Sequence, residues 1–160
     1  MLKNFWTVKN LCFAAITAAL YAGITLLFQP ISFGAVQFRI SEALTLLPIM
    51  FPQAIPGLTI GCLLANLLGS ATPWDIVLGT LASLWAAYST YLLRKNIWIA
   101  AIPPVACNAL VIGLMLHFVF ELPLLETMFS VGFGQAVVVY ILGVPLMKAL
   151  EKIKLPKWLV

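Results

Sequence analysis

The chain has 160 residues, of which 63% are hydrophobic and only 9% are charged. Its mean hydropathy of +1.08 excludes an ordinary soluble domain and is typical of an integral membrane protein. The net charge is a modest +4, and the basic residues lie at the chain ends and in one loop, a distribution that indicates membrane orientation and not nucleic-acid binding. The three cysteines, Cys12, Cys62 and Cys107, lie in apolar stretches without CxxC spacing, which predicts buried apolar thiols and no disulfide or metal framework.

Apolar runs separated by proline, glycine and charged residues predict one domain of six transmembrane helices. The predicted spans are residues 11–28, 40–51, 54–68, 74–93, 97–118 and 127–150. The first run is about 27 Å long at the helical rise and ends without a clean cleavage site, so we interpret it as a retained span and not as a signal peptide. The segment 29–38 contains Pro30, Ser32 and Gly34 and is predicted to be a loop.

Residues 40–68 decide the topology, because they form either one span or two. A single span would hold Pro48, Pro52 and Pro56 in its interior, and each of them removes a backbone hydrogen bond. Two spans place eight of the nine basic residues on one side, with Arg39 as the exception: Lys3, Lys9, Arg94, Lys95, Lys148, Lys152, Lys154 and Lys157. The positive-inside rule therefore predicts six spans with both termini in the cytoplasm.

Residues 37–48 stand out because they carry Arg39 and Glu42, three residues apart, in a chain whose apolar runs are almost free of charge. On a helix this spacing places both side chains on one face. Ionisable groups at membrane depth are costly and mark ligand or ion paths. We interpret the segment as part of a binding pocket that opens to the outside. The alternative interpretation is an ion pair that fixes the start of a helix at the membrane interface.

Further polar and aromatic residues complete the candidate pocket, namely Asn66, Asp75, Asn108, Gln135, Trp74 and Phe38. Amide side chains both donate and accept hydrogen bonds. The Glu42 carboxylate can accept two hydrogen bonds from adjacent N–H groups, as on a guanine-like edge. Aromatic rings such as Phe33 can stack on a flat solute. Asp75 also fits a capping box with Thr72, an assignment that is compatible with a binding role. His117 is interpreted as an interface residue and not as a ligand.

Two rows of small residues at a spacing of four run along the first span. One row is Ala14, Ala18 and Ala22, and the other is Ala15, Ala19 and Gly23. Small residues let another helix approach closely in a membrane. Because one neighbour inside the bundle needs only one row, the second row predicts contact with a helix of another protein. The alternative interpretation is ordinary packing inside this small bundle. A similar row, Gly57, Gly61, Ala65 and Gly69, predicts close packing of the third span.

Catalytic and nucleotide-binding motifs are missing from the sequence. It contains no G-x-x-x-x-G-K-[ST] phosphate loop, no HExxH, no GxSxG and no paired cysteines. We therefore predict that the chain is not an enzyme, needs no cofactor or metal, and acts by recognising a solute.

Three runs, V-Q-F-R-I-S-E-A-L-T-L-L-P, I-P-G-L-T-I-G-C-L-L-A-N-L-L-G and W-D-I-V-L-G-T-L-A-S-L, resemble the QueT family of queuosine-precursor transporters, which are S components of energy-coupling factor (ECF) transporters. The resemblance extends from the first span to the last. It implies a six-helix protein of the bacterial plasma membrane that binds a 7-deazaguanine derivative from outside, such as 7-aminomethyl-7-deazaguanine, queuine or queuosine. It also implies docking on a transmembrane coupling subunit (EcfT), with two ATPases supplying the energy.

The resemblance implies roles for particular residues as well. It places Arg39, Glu42, Asn66 and Asp75 in the pocket, and it places Ala15 and Ala19 against the coupling subunit, with Ala14 and Ala18 as the adjacent row. Two other readings stay open. A stand-alone secondary transporter would use Glu42 or Asp75 as its ion-coupled carboxylate, and a membrane enzyme would need a catalytic constellation that the sequence lacks.

Overall fold

The computed structural model describes residues 7–33, 38–69 and 72–153, and all regular structure within these ranges is helical. The helices are α1 (Val8–Leu27), α2 (Gln29–Ser32), one 3₁₀ helix (Ile40–Ile49), α3 (Ala54–Gly69), α4 (Thr80–Leu92), α5 (Ile97–Ala100), α6 (Ile102–Phe120), α7 (Leu124–Val138) and α8 (Val144–Lys152). Two π turns, Asp75–Gly79 and Val139–Gly143, lead directly into α4 and α8.

Three helical stretches are long and apolar enough to cross a membrane, Val8–Leu27, Ile97–Phe120 and Leu124–Lys152, and the helices Ile40–Ile49 and Ala54–Gly69 are apolar but shorter. The predicted all-helical architecture is therefore confirmed, and it fits a membrane protein. The count of six spans and the position of the termini stay predictions.

Two segments differ from their predicted conformation. Gln29–Ser32, predicted to be loop, forms one helical turn, because Pro30 lies in the first turn, where a missing N–H costs nothing. The predicted span 40–51 begins as a 3₁₀ helix of ten residues, although such helices rarely exceed four residues. Its larger rise gives it a length of about 20 Å, and it accommodates Pro48 near its end.

Proline also shapes the fifth predicted span. Ala101 separates α5 from α6, and Pro103 lies in the first turn of α6. The two prolines at the start of α6, Pro103 and Pro104, account for this break between the helices. At the other end of α6, Glu121 adopts the left-handed conformation with φ 55°, and the ring nitrogen Nδ1 of His117 lies 2.6 Å from the carbonyl oxygen of Leu122. His117 therefore supports the helix end.

Helices α1 and α3 pack with their backbones in close approach. A Cβ added at Gly57 would lie 2.5 Å from the carbonyl oxygen of Ala14, and one added at Gly61 would lie 2.9 Å from that of Ala18. Only glycine permits this approach, so the predicted glycine row of α3 is a packing surface. The same contact buries Ala14 and Ala18.

Basic residues from two distant parts of the chain meet at one end of the bundle. The Lys148 ammonium lies 5.1 Å from the centre of the Trp98 ring, and the Tyr140 hydroxyl donates to the Trp98 carbonyl at 3.1 Å. Arg94 and Lys95 lie in the turn just before α5, which carries Trp98. The α4–α5 turn and α8 therefore share one end, as the charge pattern predicted.

Candidate binding site

Glu42 is the centre of a buried polar cluster between α1 and the 3₁₀ helix. Its side chain is 1% exposed, and its Oε1 accepts a 2.5 Å hydrogen bond from the hydroxyl of Tyr21, which is completely buried. One helical turn further along α1, the Thr25 and Ser41 hydroxyls lie 2.6 Å apart. These two contacts fix the 3₁₀ helix against the inner face of α1.

Arg39 lies beside Glu42 but does not form a tight ion pair with it. The Arg39 Nη1 atom is 4.0 Å from Glu42 Oε1, and the guanidinium lies 5.0 Å from the centre of the Phe33 ring. Burying a charged pair is favourable only when further hydrogen bonds satisfy both groups. The predicted ion pair is therefore present, but it leaves both groups only partly satisfied.

Cys62 connects this pair to α3 and α4. Its sulfur lies 3.8 Å from Arg39 Nη1 and accepts from the Ser83 hydroxyl at 3.1 Å, and its thiol points to the Gly79 carbonyl at 3.6 Å. Cys12 is exposed and Cys107 is half-buried, so the prediction of buried thiols is wrong for them, whereas Cys62 is buried and free, as predicted. The prediction of apolar surroundings is wrong, because its neighbours in the fold are polar and come from outside the apolar run that holds it.

Asn66 completes the cluster one helical turn after Cys62. Its Nδ2 donates to the carbonyl oxygen of Asp75 at 2.9 Å and approaches Cys62 Sγ at 3.5 Å. The π turn that carries Asp75 also brings Gly79 against this amide, where an added Cβ would lie 2.7 Å from Nδ2. π turns are frequent at functional sites, and here one provides the space and an acceptor for Asn66.

The Thr72 half of the predicted capping box is confirmed at Asp75. The Thr72 hydroxyl donates to Asp75 Oδ2 at 2.7 Å and accepts from the Asp75 backbone N–H at 3.2 Å. This arrangement gives the Asp75 carboxylate a structural task at the start of the helix.

Five buried side-chain atoms have no hydrogen-bond partner among the residues that the structure describes. They are Arg39 Nε, Glu42 Oε2, Asn66 Oδ1, Asn108 Nδ2 and Gln135 Nε2. Each such atom costs about 1–3 kcal/mol unless something else satisfies it, and native proteins contain few of them. All five belong to residues that the sequence analysis selected as pocket candidates. Contacts through Cys62 join Arg39, Glu42 and Asn66 into one cluster, which is the candidate site. No hydrogen bond among the described residues joins Asn108 of α6 or Gln135 of α7 to that cluster.

Neither of the two predicted aromatic residues makes a ring contact with this cluster among the described residues. Trp74 is 58% exposed and lines an apolar cavity of about 590 Å³ together with Leu78, Val111, Leu114, Met115, Phe118 and Val119. Phe38 is half-buried, and its backbone N–H donates to the Ile31 carbonyl at 2.9 Å. The aromatic ring that contacts the cluster is Phe33, through Arg39.

Sequence reasoning missed four residues of the cluster, namely Tyr21, Thr25, Cys62 and Ser83. The spacing of four between Cys62 and Asn66 was a usable signal, because it places both on one face of α3. Tyr21 and Ser83 gave no such signal, because their partners lie in other helices.

The outer face of α1 carries a second surface of interest. Ala15, Ala19 and Gly23 are exposed, and a strongly apolar groove of about 450 Å³ runs between α1 and α3. The groove is lined by Asn10, Leu11, Ala14, Ala15, Ala18, Ala19, Gln53, Pro56, Ile60 and Leu64. Because Ala14 and Ala18 are largely used against α3, the outward row is that of Ala15 and Ala19.

An all-helical bundle with long apolar helices and polar groups enclosed inside it has the features of a membrane transport protein. The sequence matches the family described as QueT transporter over residues 11–152, and the chain belongs to that family. The resemblance seen in the sequence is thereby confirmed. Transport, not catalysis, is the role of this family.

A 72-residue stretch is 40% identical to a protein of Lactococcus lactis subsp. cremoris (strain MG1363) named "Queuosine precursor transporter QueT". The match covers 44% of this chain and 42% of that relative. No solved structure matches the chain.

Proposed function

We propose that this chain is the substrate-binding S component of an ECF-type importer and that it takes up a queuosine precursor, a 7-deazaguanine derivative, from outside the cell. The name of the Lactococcus relative supports the substrate. The observation that carries the proposal is the set of five buried polar atoms without partners. A protein keeps such atoms where a ligand repays their cost.

The chemistry of the five atoms suits a heterocyclic base. Glu42 Oε2 is an acceptor, Arg39 Nε is a donor, and the amides of Asn66, Asn108 and Gln135 provide both kinds of group. A deazaguanine base carries N–H donors and a carbonyl acceptor around one flat ring system. A site of this kind discriminates strongly, because a wrong solute leaves buried groups unpaired.

The exposed row on α1 supports a helical partner, which we propose is the coupling subunit (EcfT). Ala15 and Ala19 border an apolar groove, and a helix can approach closely where side chains are small. The sequence contains no phosphate-binding loop, so the energy is proposed to come from two ATPase subunits.

We further propose six spans in the bacterial plasma membrane, with both termini in the cytoplasm. The shared basic end formed by the α4–α5 turn and α8 supports this orientation. The 3₁₀ helix is shorter than the hydrocarbon thickness, but most of its residues are buried in the protein, so it need not match the bilayer by itself.

Uptake of a labelled deazaguanine precursor by cells tests the proposal. Cells that express the chain with its coupling subunit and ATPases should accumulate the precursor, and cells that express the chain alone should only bind it. A stand-alone secondary transporter, for which buried Glu42 would serve as the coupling carboxylate, predicts uptake by the chain alone. Co-purification of the partner subunits with the chain provides a second readout.

Variants of the α1 row test the docking surface. Replacing Ala15 and Ala19 by leucine should abolish uptake and leave ligand binding to the purified protein unchanged, because both residues face away from the polar cluster. Ala149→Leu, at an exposed position on α8, is the matched control and should retain uptake. Loss of binding together with uptake in the α1 variant would indicate a folding defect and remove the support for docking.

A further inference from the structure

The side-chain amide of Asn66 can stand in only one orientation. Its nitrogen lies 2.9 Å from the backbone oxygen of Asp75, and a carbonyl oxygen can only accept. The nitrogen therefore faces Asp75, and the orientation does not depend on a choice between amide oxygen and nitrogen. The atom that stays open at this completely buried residue is Oδ1, an acceptor.

The carboxylate of Glu42 has one committed oxygen and one open oxygen. Oε1 accepts from the Tyr21 hydroxyl and also faces Arg39 at 4.0 Å. Oε2 is buried and has no partner among the described residues. This asymmetry argues against the sequence-based idea that both oxygens of Glu42 bind two adjacent N–H groups.

The two open acceptors border the same contact. Arg39 Nη1 lies 3.8 Å from Cys62 Sγ, with Glu42 next to the guanidinium and Asn66 3.5 Å from the sulfur. Arg39 Nε, on the same guanidinium, is a buried donor without a partner among the described residues. The centre therefore offers two acceptors and one donor to a ligand that reaches it.

We propose that Asn66 Oδ1 and Glu42 Oε2 form an acceptor pair that binds two neighbouring N–H donors on one edge of the ligand. Glu42 takes the ring N–H, because a carboxylate gains most from the more acidic donor, and Asn66 takes the exocyclic amino group. The inference rests on the proposed function and specifies it: the ligand class is bases that carry an amino group beside a ring N–H.

Two commercially available bases allow the contribution of the exocyclic amino group to the affinity to be measured. 7-Deazaguanine and 7-deazahypoxanthine differ only in that the second lacks the exocyclic amino group, and it would leave Asn66 Oδ1 unpaired. Calorimetric titration of the purified full chain should give an affinity for 7-deazaguanine about tenfold to a hundredfold higher than for 7-deazahypoxanthine. Equal affinities would overturn the inference and leave the proposed function standing. Failure of the folded protein to bind 7-deazaguanine would refute the proposed function itself.

Two variants assign the amino group to its acceptor. Asn66→Leu should bind both bases with similar affinity, because it removes only the acceptor for the amino group. Glu42→Gln should weaken both bases by about tenfold or more while it preserves their ratio, because it replaces the ring N–H acceptor by a donor and keeps Oε1 for Tyr21. The assignment would be overturned if folded Asn66→Leu still preferred 7-deazaguanine over 7-deazahypoxanthine as strongly as the unaltered protein does. It would also be overturned if Glu42→Gln no longer distinguished the two bases.

Matched controls keep the test decisive. Tyr140→Phe removes a hydroxyl that bonds to Trp98 at the other side of the bundle and should change neither affinity. Circular dichroism and thermal unfolding establish that each variant is folded. If Asn66→Leu does not fold, Glu42→Gln decides the assignment alone. An unchanged ratio of the affinities for the two bases in Glu42→Gln supports the assignment, and equal affinities overturn it.

Discussion

The contact between α1 and α3 predicts that Gly57→Ala destabilises the protein. The added Cβ would lie 2.5 Å from the Ala14 carbonyl oxygen and 2.9 Å from Thr17 Cβ, whereas ordinary contacts begin at 3.4 Å. The obstacle is backbone, so α1 itself has to move by about 1 Å in a closely packed interface. Overpacking of this kind costs about 1–3 kcal/mol, and the better helix propensity of alanine returns about 1 kcal/mol. Because the nearest obstacle lies at 2.5 Å and is backbone, the upper part of that range applies, about 2–3 kcal/mol. We expect a net loss of about 1–2 kcal/mol in the free energy of unfolding.

Gly23→Ala is the matched control for this measurement. Gly23 lies on the opposite face of α1, and a Cβ added there meets nothing within 4 Å. This variant should gain about 0.5–1 kcal/mol. Both values are measured by reversible unfolding in mixed micelles with sodium dodecyl sulfate, followed by tryptophan fluorescence. Equal or greater stability of Gly57→Ala compared with the unaltered protein would refute the close approach of the two backbones.

Three further predictions concern the site and the helix ends. Cys62 is the buried thiol of the cluster, and replacing Cys12 and Cys107 by serine leaves it as the one thiol that can be labelled. In that variant 7-deazaguanine should slow the labelling of Cys62 by N-ethylmaleimide several-fold. An unchanged labelling rate would place the ligand elsewhere. Glu121→Gly should raise the free energy of unfolding by about 1 kcal/mol, because glycine adopts positive φ without strain, and a decrease would contradict this account. Thr72→Ala should lower the same quantity by about 1 kcal/mol through loss of the cap, and an unchanged value would show that the cap adds nothing.

The positions of the helices could be predicted from sequence, because apolar runs and prolines determine them directly. The exact helix type could not. Pro48 indicated only that the span of residues 40–51 would end there. Its 3₁₀ geometry depends on packing against α4, the second π turn and α1. Likewise, nothing local marks Asp75–Gly79 as a π turn, since the reason for its widened backbone is the Asn66 amide from another helix.

Part of the candidate site could be predicted because membrane burial makes polar residues conspicuous. Arg39, Glu42 and Asn66 lie together, as the charge and amide pattern predicted. Tyr21 escaped prediction because a tyrosine in an apolar span has many ordinary explanations. Its role emerges only from its contact with Glu42, 21 positions later in the chain.

The 3₁₀ helix has a consequence for how this protein tolerates changes in length. At three residues per turn, Glu42 and Thr45 stand directly above one another, and the Thr45 hydroxyl donates to the Glu42 carbonyl at 2.6 Å. Arg39 precedes this column as the residue just before the helix. Inserting or deleting one residue in this segment would rotate everything beyond it by about 120° and carry this column away from Tyr21 and Cys62. Surface loops absorb such changes without moving their neighbours. The number of residues between Arg39 and Pro48 is therefore itself a determinant of the site, alongside their identity.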